Sequence, residues 1–301
     1  MAEQTKQASR YELSNRYVIK GKLVMQTAFH IGGGRVTLSG SDSPVVLTPE
    51  ETPFIPGSSL KGALRSTVEK LVTGLPGAWS SCALIELSDE EAAQAEKEQR
   101  SICPTVWSED IKRQRRENPG QTQQILAAAR ERLCDTCRLF GSPFAASRIN
   151  ISDLYISDKI WDGIIQIRDG VAIDRDSEKA KDRLKYDFEV VPASVSFDLE
   201  ITLENATKRD LQLVSVGLSE FVHGFGVIGG KRSRGLGVCK LEQLHIAELE
   251  LVFEKDGRTP LEKTERNRRL RDYLRDKTFS QEFVNEAGEE FLKGYIDSIF
   301  E

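Results

Sequence analysis

From residue 195 to residue 203, Val195, Phe197, Leu199, Ile201 and Leu203 alternate without interruption with Ser196, Asp198, Glu200 and Thr202. A period of two belongs to a strand with one face in a core and the other in water. Shortly after, Leu211, Val214, Leu218 and Phe221 recur at the spacing of one helix face over residues 211–222. A half-buried strand followed at once by an amphipathic helix calls for a layer of sheet under a layer of helix.

The rest of the chain supplies the other pieces of that layer. Residues 17–27 alternate Tyr17, Ile19, Leu23 and Met25 with polar partners, which predicts a first strand. In PFIPGSSLKGALRSTVEKLV, Pro56 and Gly57 end an extended piece, and Ser58 or Ser59 is a candidate N-cap. Leu60, Leu64, Val68 and Leu71 then share one helical face. RINISDLYIS at 148–157 reads as a strand, and so does the stretch around 238–246. The order β-α-β-β-α-β predicts an α+β fold of the ferredoxin-like (RRM-like) kind. Between its parts, residues 164–173 and 186–191 are two extended arms around a strongly charged tip, a protruding hairpin within 163–192. The expected division is a core of 1–73 and 146–250, an insertion of 74–145, and a helical extension of 251–301 with a basic run (ERNRRLRDYLRDK).

At 301 residues, 39% hydrophobic and 30% charged, the composition is that of an ordinary globular protein. No apolar run approaches the ~18 residues of a membrane span and the N-terminus lacks the apolar region of a secretory signal, so the expected location is the cytoplasm. A net charge of −5 runs against bulk attraction to nucleic acid. Local clusters act over a Debye length of ~10 Å, however, and there are three, at 112–116, 231–234 and 266–275. The first and third read by themselves as solvated helix faces. The middle one lies in EFVHGFGVIGGKRSRGLGVCK (220–240), where Gly224, Gly226, Gly229, Gly230, Gly235 and Gly237 surround Lys231, Arg232 and Arg234. Glycines let main-chain amides close on an anion while the cations neutralise it, a phosphate cradle. The embedded GxGxxG is no dinucleotide fingerprint, because here a helix precedes it and a strand follows.

A second glycine loop, Gly32 to Gly34, follows His30, a residue with the pKa of a base and equally at home as a satisfied core histidine. The five cysteines, Cys82, Cys103, Cys134, Cys137 and Cys239, argue against a disulfide framework. Cys134 and Cys137 have the CxxC gap that lets two thiolates reach one zinc, and Cys82 and Cys103 could complete a four-sulfur shell; buried free thiols are the alternative. The insertion carries a small helix over 121–132 and little core of its own, a situation in which a metal often supplies the missing stability.

HIGGG (30–34), SDSPV (41–45), FIPGSSLKGALR (54–65), LFGS (139–142), GVAIDR with DFEVVP (170–175 and 187–192) and GFGVIGGKRSRGLG (224–237) occur in this order. Together they resemble the RAMP superfamily, specifically the repeating backbone subunits of type III CRISPR effector complexes. The resemblance implies a palm whose copies stack along a guide CRISPR RNA beside other effector subunits, with the hairpin as a thumb prying the duplex of guide and target RNA. Carried over, the RNA-binding residues are His30, Gly32, Gly33, Ser58, Ser59, Lys61, Arg65, Gly229, Gly230, Lys231, Arg232 and Arg234, with Asp174, Arg175 and Tyr186 on the thumb. The family's cleaving aspartate, just before Ser-Pro, falls on Asp42. The resemblance also implies Mg²⁺ for cleavage, and zinc held by the insertion in some relatives.

The chemistry of a lone carboxylate is sufficient on physical grounds. RNA is cut by its own 2′-OH once that oxygen stands in line with the phosphate, and good positioning is worth effective molarities of ~10⁵ M or more. The carboxylate then needs only to accept a proton or hold a hydrated Mg²⁺. The same residue also suits a turn before Pro44. Two other functions fit the motifs: a structural RNA-binding subunit without chemistry, and a stand-alone processing nuclease with His30 as its base.

Overall fold

The computed structural model describes residues 12–33, 41–98, 102–157, 161, 163–173, 180–252 and 262–301. In chain order these form β1 (Asn15–Met25), α1 (Gly57–Val72), α2 (Asp89–Lys97), α3 (Ser108–Glu117), α4 (Thr122–Glu131), α5 (Asp135–Phe140) and β2 (Ile149–Ile151). Then follow β3 (Gln166–Ile173), β4 (Ala180–Val190), β5 (Ser196–Glu204), α6 (Lys208–Val222), β6 (Gly226–Val227), β7 (Val238–Glu250), α7 (Lys263–Asp276), β8 (Gln281–Val284) and α8 (Glu286–Phe300). The fold is mixed α+β around an antiparallel sheet of order β2-β5-β1-β7-β6, with β8 also paired to β7.

Alternation decides how this sheet is layered. Opposite β1, β5 runs from Arg16↔Glu204 to Val24↔Ser196. In that register Tyr17, Ile19, Leu23 and Met25 of β1 and Phe197, Leu199, Ile201 and Leu203 of β5 are all buried. The other face carries charges such as the Lys20–Glu200 pair at 3.2 Å. Leu60, Leu64 and Val68 of α1, and Leu218 and Phe221 of α6, join the buried strand residues in one core. Burying each such side chain fully is worth about 1.5–3 kcal/mol. The two helices approach closely at Gly217, where an added Cβ would stand 2.7 Å from Leu64 Cδ1 and 2.8 Å from Val68 Cγ2.

Helix starts are set partly within the chain segment and partly from afar. α6 has a reciprocal cap, in which the Asp210 amide donates to Thr207 Oγ1 at 3.3 Å and the Thr207 amide to Asp210 Oδ2 at 2.8 Å. α1 has no side-chain cap at Ser58 or Ser59; it begins at Gly57, whose amide donates to Asp153 Oδ1 at 2.7 Å. A carboxylate from a distant segment therefore already occupies that end of the helix.

Three sequence expectations change. The 148–157 strand is continuous only over β2, with isolated bridges Ile55↔Leu154 and Ile156↔Phe197 beyond it. The insertion has more core than its composition suggested: α2 to α5 enclose Ala92, Ala95, Ile102, Val106, Ile111, Ala129, Leu133 and Phe144 in a separate cluster. The C-terminal extension is not purely helical. β8 lies on the outer edge of β7 from His245↔Val284 to Glu248↔Gln281. α8 then brings Phe291 within 6.2 Å of Tyr17 and 4.9 Å of Phe283, ring to ring, so the tail packs on the chain's own core.

Strands β3 and β4 form their own two-stranded sheet. Its base is anchored by the Phe29↔Val191 bridge and by Phe188 and Val190, buried with Ala28 and Leu236. Away from the base, Ile164, Ile167 and Val171 are exposed.

Candidate nucleic-acid interface

The base of the β3–β4 hairpin gathers the motifs, because β4 presents two faces. Successive side chains on a strand point to opposite sides. Tyr186 and Phe188 meet the glycine-rich loop, while Asp187 and Glu189 meet the turn at 41–45.

On the first side, Tyr186 and Phe188 stack at 6.2 Å and 30°. The Tyr186 ring lies over Gly170 of β3, where a Cβ would stand 2.4 Å from the ring. Lys231 Nζ sits 4.4 Å from the Phe188 ring centroid and 5.2 Å from that of Tyr186. Arg234 donates to the Tyr186 hydroxyl and Arg232 Nε to the Gly229 carbonyl at 2.9 Å. Lys231 itself is left-handed, at φ 58°. Gly229 is required for a harder reason: its φ is +81° and a Cβ would lie 2.4 Å from the His30 carbonyl oxygen. That carbonyl accepts the Gly230 amide at 2.8 Å, so the basic loop is bolted to the loop after β1.

On the second side, the Asp42 amide donates to Asp187 Oδ1 at 2.8 Å and the Asp187 amide to Asp42 Oδ2 at 3.2 Å. Ser41 Oγ donates to the same Asp187 oxygen at 2.8 Å. The Glu189 amide donates to the Ser43 carbonyl at 3.0 Å, and the Val45 amide to Glu189 Oε2 at 2.9 Å. Asp42 itself is exposed. A carboxylate held on a solvent-facing rim can take up a proton or hold a hydrated cation.

His30 lies between the two sides and is only 6% exposed. Its Nδ1 is 2.8 Å from the Glu189 carbonyl and its Nε2 3.3 Å from Ser43 Oγ. Both nitrogens have protein partners, so the ring braces the junction. Gly32 and Gly33 are exposed beside it, and the Gly33 amide donates to the Pro44 carbonyl at 3.1 Å.

Other expected contacts fall elsewhere. Lys61 Nζ donates to Ser147 Oγ at 2.8 Å and to the Ile149 carbonyl at 3.1 Å. Burial, and then the neighbouring Arg65 guanidinium, hold its pKa below the usual lysine value. Arg65 pairs with Glu69 at 2.8 Å and donates to Cys137 Sγ at 3.3 Å. Lys61 thus ties α1 to the chain at 147–149 and Arg65 ties it to the insertion, while Ser58 and Ser59 sit in the first turn of α1. Asp174 and Arg175, like Gly34, lie outside the described residues. The residues that sequence reasoning passed over are Asp187, Phe188 and Glu189. Their sequence signals are the alternation of polar and apolar side chains in DFEV and the place of DFEVVP (187–192) among the motifs of the resemblance, neither of which assigns these three residues a contact.

The insertion brings Cys82, Cys103, Cys134 and Cys137 together, with all four sulfurs within 4.8 Å of one another. Thiolates 2.3 Å from one tetrahedral ion would stand about 3.8 Å apart. Cys82 and Cys137 sulfurs are 3.5 Å apart. Hydrogen bonds from the cluster, led by Cys134 and Cys137, push the Cys103 thiol down, and the Cys103 contact pushes Cys82 up. After Cys82, Ala83 and Leu84 both take positive φ (48° and 56°), curling the chain around its sulfur. This donor set fits a metal such as zinc. The fifth cysteine, Cys239, is buried in the sheet core.

The described residues contain no helix long and apolar enough to cross a membrane. The family model of the RAMP superfamily matches residues 22–240, and the chain belongs to that superfamily. Within it, the chain is similar to curated proteins named "CRISPR system Cms endoribonuclease Csm3". Identity is 47% over 62 residues with that of Enterococcus italicus, covering 20% of this chain and 29% of the relative. It is 41% over 56 residues with that of Methanothermobacter thermautotrophicus, covering 18% and 23%. With that of Methanocaldococcus jannaschii it is 38% over 60 residues, covering 19% and 24%. The aligned stretches thus span less than a third of each relative's length.

Proposed function

We propose that the chain is a guide-RNA-binding backbone subunit of a type III CRISPR effector complex and that it cleaves complementary target RNA through Asp42. The observation that carries this reading is the convergence of the Asp42 turn and the Lys231–Arg234 loop on opposite faces of one strand at the hairpin base. In this reading β1, β2, β5 and β7 with α1 and α6 are the ferredoxin-like palm and β3–β4 is the thumb. The cations of the glycine-rich loop hold the guide backbone, while its Gly230, Gly235 and Gly237 amides donate to protein carbonyls and fix the loop's shape. The partners are guide RNA, target RNA, other effector subunits and neighbouring copies along the filament, in the cytoplasm.

The chemistry follows from RNA itself. The 2′-oxygen of the nucleotide displaced at the thumb attacks its phosphorus while the bond to the 5′-oxygen breaks, leaving a 2′,3′-cyclic phosphate and a 5′-hydroxyl. Asp42 accepts the 2′-hydroxyl proton or orients a hydrated cation beside the phosphate, solvent water gives the departing 5′-oxygen its proton, and the palm holds the strand in line. Its carboxylate is the hard oxygen donor that Mg²⁺ takes, and Mg²⁺ when bound would offset charge on the phosphate. The four-cysteine cluster holds zinc and keeps the insertion folded.

The test is target cleavage by the assembled complex carrying Asp42→Ala. Loss of a positioned proton acceptor predicts a rate lower by about 10²-fold or more, with target binding kept. Cutting at unchanged positions and rate would overturn the assignment. A wild-type complex that binds but never cuts would instead make the subunit structural. The processing-nuclease alternative is disfavoured because His30 is buried with both nitrogens engaged.

A further inference from the structure

We infer that Asp187 is the positioning residue for Asp42, so that the β3–β4 hairpin sets where the cleaving carboxylate stands; the inference rests on the assignment of Asp42 above. A turn such as Ser-Asp-Ser-Pro ordinarily satisfies its amides with its own side chains. Here the Asp42 amide and Ser41 Oγ both donate to Asp187 Oδ1 at 2.8 Å, from a residue 145 positions along the chain. The Asp187 amide returns a bond to Asp42 Oδ2 at 3.2 Å. Asp42 is therefore gripped at its main chain and at one carboxylate oxygen by a single residue of β4. Hydrogen bonds to an ionised acceptor are about twice as strong as neutral ones. The donors between the two carboxylates offset their repulsion.

The neighbouring contacts make this a joint between two elements. Glu189, two residues on and on the same face, takes the Val45 amide at 2.9 Å and donates its own amide to Ser43 at 3.0 Å. Tyr186 and Phe188 on the opposite face hold the basic loop. RNA that displaces the hairpin must therefore move the Asp42 turn with it. Since in-line attack tolerates little error, with a misplacement of about 1 Å costing on the order of 10²-fold, the joint decides the rate.

The experiment is single-turnover cleavage of complementary target RNA by complexes assembled with guide RNA and carrying Asp187→Ala, Asp187→Asn or Ser41→Ala, with target affinity measured in parallel. Asp187→Ala is expected to slow cleavage about 10- to 100-fold with affinity changed less than about twofold. Asp187→Asn keeps an oxygen for both donors and is expected to stay within about threefold of wild type. Ser41→Ala removes one donor without touching β4 and is expected to fall between them, which keeps the inference testable if Asp187→Ala does not assemble. Wild-type rates in Asp187→Ala, or in Ser41→Ala where that complex does not form, would overturn the inference. So would an Asn variant as slow as the Ala variant, which would mark the carboxylate charge as the requirement. Failure of the underlying reading shows separately, as undiminished cleavage by Asp42→Ala.

Discussion

The structure separates the basic cluster at 231–234 from the one on α7, and guide binding should follow that separation. Arg268, Arg271 and Arg275 on α7 are paired with Glu265, Asp272 and Asp276 at 2.7, 3.1 and 2.6 Å. Among the described residues no carboxylate pairs with Lys231, Arg232 or Arg234, whose contacts are aromatic rings, a tyrosine hydroxyl and a carbonyl. Replacing these three by Gln removes the charges while leaving polar stems of similar shape. Each single-strand phosphate contact contributes about 0.7 to the slope of log K against log salt, so loss of three lowers the slope by about 2. Between about 50 and about 200 mM salt that is a difference of roughly twentyfold in how far affinity falls. Fluorescence anisotropy of labelled guide RNA across a salt series reads it directly, with Arg268, Arg271 and Arg275→Gln as the control, expected to change the slope by less than about 0.5. Loss of the cation–aromatic contacts is worth about 0.5–1 kcal/mol each at exposed sites, so a melting curve must show the variant folded. An unchanged slope in the loop variant, or an equal change in the control, would refute the assignment of the loop to phosphate.

Metal analysis of the purified protein should find about one zinc per chain, and chelation or Cys137→Ser should lower the melting midpoint, because metal binding to such a site is also folding free energy. Full stability in protein with no bound metal would reject the site. Burial pushes the Cys239 thiol up to about 12, with Arg232 pulling slightly the other way. A thiol whose folded pKa is raised supports the fold fully below its unfolded value of 9.0 and ceases to do so as pH climbs toward about 12. Stability should therefore decline over that window, and an alkylating reagent at pH ~8 should label Cys239 only when the protein is unfolded; rapid labelling of the native protein would contradict the buried thiol.

Much of the framework was legible from residue order. The alternation at 195–203 recurs as the buried and exposed faces of β5, and the helical spacing of Leu60, Leu64 and Val68 recurs as the core face of α1. CDTC marked two of the four clustered sulfurs, but Cys82 and Cys103 lie in segments whose approach depends on the insertion folding around its own apolar cluster. The start of α1 misled because Ser58 and Ser59 are suitable caps by type, and the partner chosen was Asp153. Lys61 and Arg65 enter as RNA-binding residues through the resemblance, and in the folded chain they reach Ser147 and Cys137.

By itself the sequence determined periodicity, and with it which side of each strand and helix would leave water, because burial of apolar area depends only on which residues repeat at which spacing. It also determined where glycine allowed the chain to turn back on itself, as at Gly229. What only the tertiary structure decided was which polar groups would meet. The Asp42 turn and Asp187 are brought together by strands that must first pair, and Lys231 reaches Phe188 only once two loops have docked on β4. Hydrogen bonds and cation–aromatic contacts act over a few ångströms, so no spacing along the chain could have announced them.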